Sequence, residues 1–319
     1  MTINDHLATF CRLPARTFPG PGAPADSLPD AGSVAWRITS DVYDADEDWA
    51  DAFARFLDTV DTTEVRALIV GAWQEAYDTA PTGIIEALLA ARDRLPALRG
   101  LFLGDMVMEE CEISWINQTD VTPLLEAFPE LEEFGVRGGS GLGFTGLRHT
   151  ALRSLTMESG GLPAQVVRGV SACDLPALTD LDLWLGTPDY GGDSEVSDLE
   201  GILSGARLPS LRRLALRNSE IQDQVATAVA GSAVLGRLEV LDLSMGVLTD
   251  EGATALLDGG PLTHLKKLDL HHNYLTGPLR DRVRGALEPA GVEVDLGRGD
   301  ADEDKDDDGT VWRYVAVGE

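Results

Sequence analysis

The chain has 319 residues, of which 44% are apolar, and a formal net charge of −29. The apolar share supports a continuous core and excludes a mainly disordered chain. The charge argues against nucleic acid and anionic membranes as partners, and it fits either a basic protein partner or simple solubility. The three cysteines are far apart and form no CxxC pair, so we expect neither a disulfide framework nor a zinc ribbon.

The first 62 residues are predicted to form a lead-in and a capping unit. The N-terminus lacks the features of a signal peptide, and no run of about 18 apolar residues occurs, so we expect a cytoplasmic protein without a membrane span. Residues 11–29 are rich in Pro and Gly and are expected to be irregular. Within residues 30–62, Val34, Trp36 and Ile38 alternate as in a strand, and residues 49–60 have one apolar helical face.

Residues 63–297 carry a recurring LxxLxL pattern, which is typical of stacked strand–turn–helix repeats. Its second apolar position recurs at intervals of 21, 26, 27 or 33 residues, at Leu68, Leu101, Phe134, Leu155, Leu181, Leu214, Leu241, Leu268 and Val294. An interval of 27 leaves room for a strand and a helix, whereas the interval of 21 after Phe134 should cross by a loop. We therefore predict an α/β leucine-rich-repeat solenoid, a horseshoe with a parallel concave sheet, outer helices and irregular repeats.

Three segments depart from this repeat pattern. Residues 109–117 are a partly apolar insertion, predicted to be an extra strand or a loop over the rim. Residues 298–310 are expected to be a disordered acidic linker. Residues 311–319 begin with an alternating run, predicted to be a strand that extends the exposed edge of the sheet, packs on the last helix or mediates self-association.

Several sequence stretches resemble a bacterial family of cytosolic leucine-rich-repeat proteins of unknown function. Near the N-terminus they are HL at 6–7, F at 10, LP at 13–14 and FP at 18–19. Further along they are CEISWI at 111–116, which leads to PLLEAFP at 123–129, HHNY at 271–274 and RYVAVGE at 313–319. Residues 249–260 resemble the helix of ribonuclease-inhibitor-type repeats. The family is encoded beside radical-SAM-like, ATP-grasp-like and sulfatase- or phosphatase-like proteins. The resemblance implies a scaffold or substrate-presenting role in an uncharacterised modification pathway.

Strand alternation predicts which side chains line the concave face. The N-terminal third of this face is apolar or small, as at Ile69, Phe102 and Gly135, and the C-terminal half is charged. An exposed Trp flanked by Arg and Asp resembles an interface hot spot, although Trp184 could instead pack into the insertion at residues 186–194. The predicted partner-binding patch contains Trp184, Arg217, Asp242, Asp269 and His271.

These patterns favour a non-catalytic scaffold that binds an unidentified protein or peptide, such as the product of a neighbouring gene. The alternative is a metal-binding protein or enzyme centred on His271 and a ladder of Asp242, Asp269 and Asp295 on neighbouring strands. We expect no catalytic residue, cofactor or metal. The GxGxxG letters at 141–146 are followed by too short a segment for a dinucleotide-binding unit.

Overall fold

The computed structural model describes residues 4–22 and 28–318, which divide into two compact units. Unit 1 contains the chain up to Phe144 together with His149–Glu158, and unit 2 contains Thr145–Arg148 and Ser159–Gly318. Residues 23–27 of the predicted irregular lead-in and residue 319 of the predicted C-terminal strand lie outside the described part of the chain.

Unit 1 is a stack of strands with helices on one side. β1 and β2 form an antiparallel hairpin, and β2 to β7 follow one another in chain order as parallel neighbours. The strands are β1 (Thr9–Phe10), β2 (Leu13–Thr17), β3 (Ala35–Ile38), β4 (Ala67–Val70), β5 (Gly100–Leu103), β6 (Glu133–Arg137) and β7 (Ser154–Glu158). The helices are α1 (Trp49–Thr59), α2 (Thr82–Ala90) and α3 (Thr122–Ala127).

Unit 2 repeats this arrangement with five parallel strands and adds a C-terminal hairpin. The parallel strands are β8 (Asp180–Gly186), β9 (Arg213–Ser219), β10 (Val240–Asp242), β11 (Lys267–Asp269) and β12 (Glu293–Asp295), and the antiparallel hairpin is β13 (Glu303–Lys305) with β14 (Val311–Arg313). The helices are α4 (Ala164–Ala172), α5 (Glu200–Ser204), α6 (Gln222–Ala230), α7 (Asp250–Gly259) and α8 (Gly277–Leu287).

The strand register confirms the predicted repeat. The second apolar positions are direct cross-strand partners within each unit, Leu68–Leu101–Phe134–Leu155 in unit 1 and Leu181–Leu214–Leu241–Leu268–Val294 in unit 2. All except Val294 are at most 1% exposed, so they form the core between strands and helices. The interval of 21 residues after Phe134 contains no helix, as predicted, because so short a segment can only cross between strands.

Helix α7 shows how the sequence sets the local structure. Thr249 caps the helix by accepting a hydrogen bond from the Glu251 N–H, and Asp250 and Glu251 place negative charge in the first turn. Asp223 of the preceding repeat accepts bonds from the N–H groups of Thr249 and Gly252, which couples neighbouring repeats. In the following repeat, Asn273 donates to the Leu270 and Leu296 carbonyls.

Both ends of the chain are more ordered than predicted. Residues 13–17 were expected to be irregular, but they form β2 and extend the sheet by one strand. The predicted disorder in the acidic linker is wrong for Glu303–Lys305, which pairs with Val311–Arg313. The cause is local complementarity, because Arg313 forms an ion pair with Glu303 and the Trp312 indole donates to Asp306. β14 therefore joins this hairpin and does not extend the parallel sheet.

Candidate interaction surface

The face of the strands opposite the helices, here called the open face, carries linked ion pairs in unit 2. The Arg217 guanidinium donates two bonds to Asp182, with nitrogen–oxygen distances of 3.0 and 2.8 Å. Arg213 bridges Asp182 and Asp242 at 3.1 and 3.3 Å. Asp242 also accepts bonds from the N–H and hydroxyl of Ser244. Charged side chains of β8, β9 and β10 are thus bound to one another in a fixed arrangement.

A second cluster follows at β11 and β12. His271 Nδ1 lies 2.7 Å from an oxygen of Asp269, and Lys267 Nζ lies 3.1 Å from the other oxygen. Burial acts to raise the pKa of Asp269, but the hydrogen bonds from the side chain and backbone of His271 outweigh it, so this pKa lies well below its usual range. The bond to Asp269 in turn raises the pKa of His271, against the opposing effect of burial. Asp269, His271 and Asp295 can each place one ligand atom within 4.8 Å of the others.

The five predicted site residues all lie close to this face, but they differ in how far they are exposed. The prediction that Trp184 is exposed is wrong, because its exposed fraction is only 1%. Arg217, held by Asp182, lies over the indole ring and shields it. Asp242 and Asp269 are also buried, whereas the side chain of His271 is 39% exposed. Asp242 is bound to arginines and does not join the cluster of Asp269, His271 and Asp295.

In unit 1 the chain's own N-terminal segment covers the apolar part of the open face. Leu7 belongs to a core cluster with Ala35, Ala67, Ile69 and Phe102, and residues of the β1–β2 hairpin pack against that cluster. The rings of Phe10 and Phe102 meet edge to face at 6.0 Å. The apolar character noted at Ile69 and Phe102 therefore reflects an internal core, which the sequence pattern did not indicate.

A buried carboxylate fixes this N-terminal segment. Asp105 is fully buried, accepts the Leu7 N–H at 3.0 Å, and forms an ion pair with Arg37 at 2.6 Å. Arg137 lies 3.8 Å from Asp105 and pairs with Glu158 at 2.8 Å. Sequence reasoning missed Asp105, although the opposite charges at the neighbouring strand positions Arg137 and Glu158 were a usable signal.

The last described residues, 314–318, form a C-terminal tail across the end of β9 and the loops that follow β10 and β11. The Tyr314 carbonyl contacts the His272 ring and accepts from the Tyr274 hydroxyl, and the Ala316 N–H donates to the Met245 carbonyl. The Val317 N–H and carbonyl both bind the Asn218 side chain. The contact residues Asn218, near the end of β9, and Met245 and His272, in the two loops, are 27 residues apart, and each has a positive φ.

These repeats, their register and the parallel strands define the class of fold: the chain has a leucine-rich-repeat fold. The Leucine Rich repeat family model matches residues 238–257. A crystal structure of a Bacteroides fragilis protein matches with a TM-score of 0.73 and 29% identity, over 85% of this chain and 73% of that one.

An internalin from Listeria monocytogenes matches with a TM-score of 0.38 and 13% identity, over 83% of this chain and 74% of that one, which is too distant to support an argument. A search of curated proteins finds no match. Among the described residues, no helix combines the length and apolar character needed to cross a membrane.

Proposed function

We propose that this protein is a non-catalytic scaffold that binds a partner protein or peptide through the open face of β8 to β12. The observation that carries the proposal is the presence of two neighbouring clusters of bonded charged side chains on this face, one at β8 to β10 and one at β11 and β12, the second of which has accessible groups. His271 and Lys267 have side chains 39% and 34% exposed, and Glu293 is 73% exposed. A leucine-rich-repeat fold commonly uses such an extended strand face for binding.

The predicted patch divides into a supporting part and a contacting part. Trp184, Arg217 and Asp242 are buried and hold one another in place. Asp269 and His271 form a separate bonded pair at the accessible end of the face. Because these side chains are already ordered, a partner would lose little conformational entropy on this side of the interface. Charged groups in fixed positions would also select a partner of complementary charge.

The resemblance to the bacterial family extends the proposal to the cell. From this resemblance we propose that the scaffold works in the cytoplasm and that its partner is a product of a neighbouring gene in an uncharacterised modification pathway. The net charge of −29 favours a protein partner over nucleic acid or an anionic membrane.

Adjacent lysines provide a matched test. Lys267 pairs with Asp269 on the open face, whereas the more exposed Lys266 pairs with Glu239. Tagged wild-type protein, Lys267→Glu, His271→Ala and Lys266→Glu would each capture proteins from a lysate of the natural host, with identification by mass spectrometry. We expect at least one protein to be retained by wild type and Lys266→Glu and lost from the other two variants. Identical capture by all four would refute this binding face.

Metal binding is the second candidate, and it is favoured by the proximity of Asp269, His271 and Asp295. The ammonium of Lys267 already lies 3.1 Å from Asp269, and a second cation at that carboxylate would be repelled. Calorimetric titration with Zn²⁺ and elemental analysis of chelator-free protein test the idea. Stoichiometric binding that His271→Ala abolishes would support it, and less than about 0.1 equivalents of metal would remove it.

A further inference from the structure

Three successive loops in unit 1 border an open hollow of about 350 Å³, here called the rim pocket. The loops follow β3, β4 and β5. The rim pocket is lined by Tyr43, Tyr77, Met108, Cys111, Glu112 and Trp115. Part of it comes from the insertion at residues 109–117, which forms turns over this rim and has no strand of its own.

The rim pocket concentrates exposed apolar side chains. Among the described residues, seven large hydrophobic side chains are exposed, and four of them line this one hollow: Tyr43 at 67%, Tyr77 at 43%, Met108 at 46% and Trp115 at 59%. Single exposed apolar residues are ordinary on protein surfaces, but a contiguous group of large ones marks an interaction site.

The three loops form a fixed frame for these side chains. The Glu75 N–H donates to the Val42 carbonyl at 2.8 Å, which joins the first loop to the second, and the Asn117 N–H donates to the Ala76 carbonyl at 2.9 Å, which joins the second to the third. Beneath the third loop, Ile113 and Ile116 are buried. The aromatic rings are therefore held outward on a frame with its own core contacts.

The three loops that form the rim pocket are acidic, and their own sequence supplies no positive side chain, although His6 from the N-terminal segment lies 3.5 Å from Glu110. Residues 38–54, 67–91 and 100–136, which include the three loops, contain no Lys, Arg or His and have six, three and nine Asp or Glu residues. Asp44, Asp78 and Glu109 are exposed, and Glu112 belongs to the pocket wall. Such a site repels phosphate groups and attracts cations.

We propose that the rim pocket binds a lysine or arginine side chain presented by a basic segment of a partner protein. The faces of Trp115, Tyr43 and Tyr77 offer cation–π contacts, and the carboxylate of Glu112 offers an ion pair. Tyr43 and Tyr77 stack with ring centroids 6.1 Å apart, so they form one continuous aromatic wall. This surface belongs to unit 1 and is separate from the open face of β8 to β12, so the two binding proposals stand or fall independently.

Short fluorescent peptides of alternating sequence test the proposal on the full-length protein. Lys–Ser, Glu–Ser and Leu–Ser peptides serve as basic, acidic and apolar probes, and fluorescence anisotropy measures binding. We expect the basic peptide to bind and the acidic one not to bind. Affinity for the basic peptide should fall as NaCl is raised from about 0.05 to about 0.5 M, because exposed charges are screened.

Two tryptophans of similar exposure give a matched pair of variants. Trp115→Ala should weaken binding of the basic peptide by about tenfold or more, whereas Trp312→Ala, which removes a side chain from the C-terminal hairpin, should leave it unchanged. Glu112→Gln should weaken binding and reduce its dependence on salt. Because Trp115 is 59% exposed and Trp312 52%, both proteins should melt like wild type. Equal affinity of the two tryptophan variants, no binding of the basic peptide to wild type, or salt-independent preference for the apolar peptide would each overturn the proposal.

Discussion

The guanidinium of Arg217 lies over the ring of Trp184, with its carbon 4.9 Å from the ring centroid. The same guanidinium binds Asp182 through two nitrogens. The buried ring thus supports and orients the ion pair between Arg217 and Asp182. Arg217 in turn separates the ring from any partner on that face.

Because Trp184 is buried, we expect its replacement to lower the stability of the fold and to have no direct effect on a partner's contacts. Trp184→Ala should lower the free energy of unfolding by about 3–5 kcal/mol, because it leaves a cavity in a closely packed region. Trp184→Phe keeps an aromatic ring below Arg217 and should cost less than half as much. Urea denaturation measures both. A change below about 0.5 kcal/mol for the alanine variant, as is usual for surface positions, would contradict a buried supporting role.

Asp105 is expected to be the most sensitive carboxylate in unit 1. Asp105→Ala leaves Arg37 buried without its ion pair and should cost about 3–5 kcal/mol in the free energy of unfolding. Asp93 is a suitable control, since its side chain is 92% exposed and pairs only with an exposed arginine. Asp93→Ala should change stability by less than about 0.5 kcal/mol. If Asp105→Ala lowered the free energy of unfolding by no more than Asp93→Ala does, the buried network would not be what holds the N-terminal segment.

His149 should make unit 1 sensitive to mild acid. Its Nδ1 accepts the Leu152 N–H, so Nε2 carries the proton and donates to the Phe128 carbonyl. Burial lowers its pKa below the usual 6.5, more than the Phe128 carbonyl and Glu130 raise it. Below about pH 6.5 the unfolded chain therefore binds more protons than the folded one, and stability falls by at most about 1.4 kcal/mol per pH unit. Denaturation across pH 5 to 8 should show this slope in wild type and a smaller one in His149→Gln.

His271 should show the opposite pH dependence. Its pKa is raised above 6.5 by the bond to Asp269, so its stabilising effect is complete below pH 6.5 and is lost as the pH rises through the folded-state value. Because the side chain is 39% exposed, we expect an effect below about 1 kcal/mol. The measurement is the stability difference between wild type and His271→Asn at pH 5.5 and pH 9. A difference that grows toward high pH would contradict the pairing.

The C-terminal tail should depend on Asn218. Its amide accepts the Val317 N–H at 3.0 Å and donates to the Val317 carbonyl at 2.6 Å. Asn218→Gly tolerates the positive φ of this residue but removes both bonds, so it should cost about 1–3 kcal/mol and speed hydrogen exchange at Val317. In a chain ending at Arg313 the same substitution should have little effect. An equal loss in the shortened chain would assign the role of Asn218 to other contacts, such as the Ser159 carbonyl.

The sequence predicted the repeated part of the fold in detail because repeats impose one apolar position per strand. Leu214, Leu241 and Leu268 fall in register as their spacing of 27 requires. Periodicity cannot show which segment from outside the repeats covers an open strand face. The burial of Ile69 and Phe102 under residues 7–15 therefore went unpredicted.

The candidate site was predicted in part for a related reason. Alternation correctly placed Asp242, Asp269 and Asp295 at equivalent positions on neighbouring strands. It could not predict that long arginine side chains would bend across to Asp182 and Asp242 and bury Trp184, because that depends on side-chain conformations in three dimensions.

The C-terminal tail has a consequence for how the number of repeats in this chain can change. Solenoids usually gain or lose whole repeats by duplication, because each repeat needs only its neighbours. Here the C-terminal tail attaches to one residue in each of three consecutive repeats, at Asn218, Met245 and His272. If one more repeat were inserted between these three, one attachment point would move by the spacing of neighbouring strands, about 4.8 Å. The hydrogen bonds of the C-terminal tail could not span that distance. Repeat number in this stretch is thus fixed by a segment that is not itself a repeat.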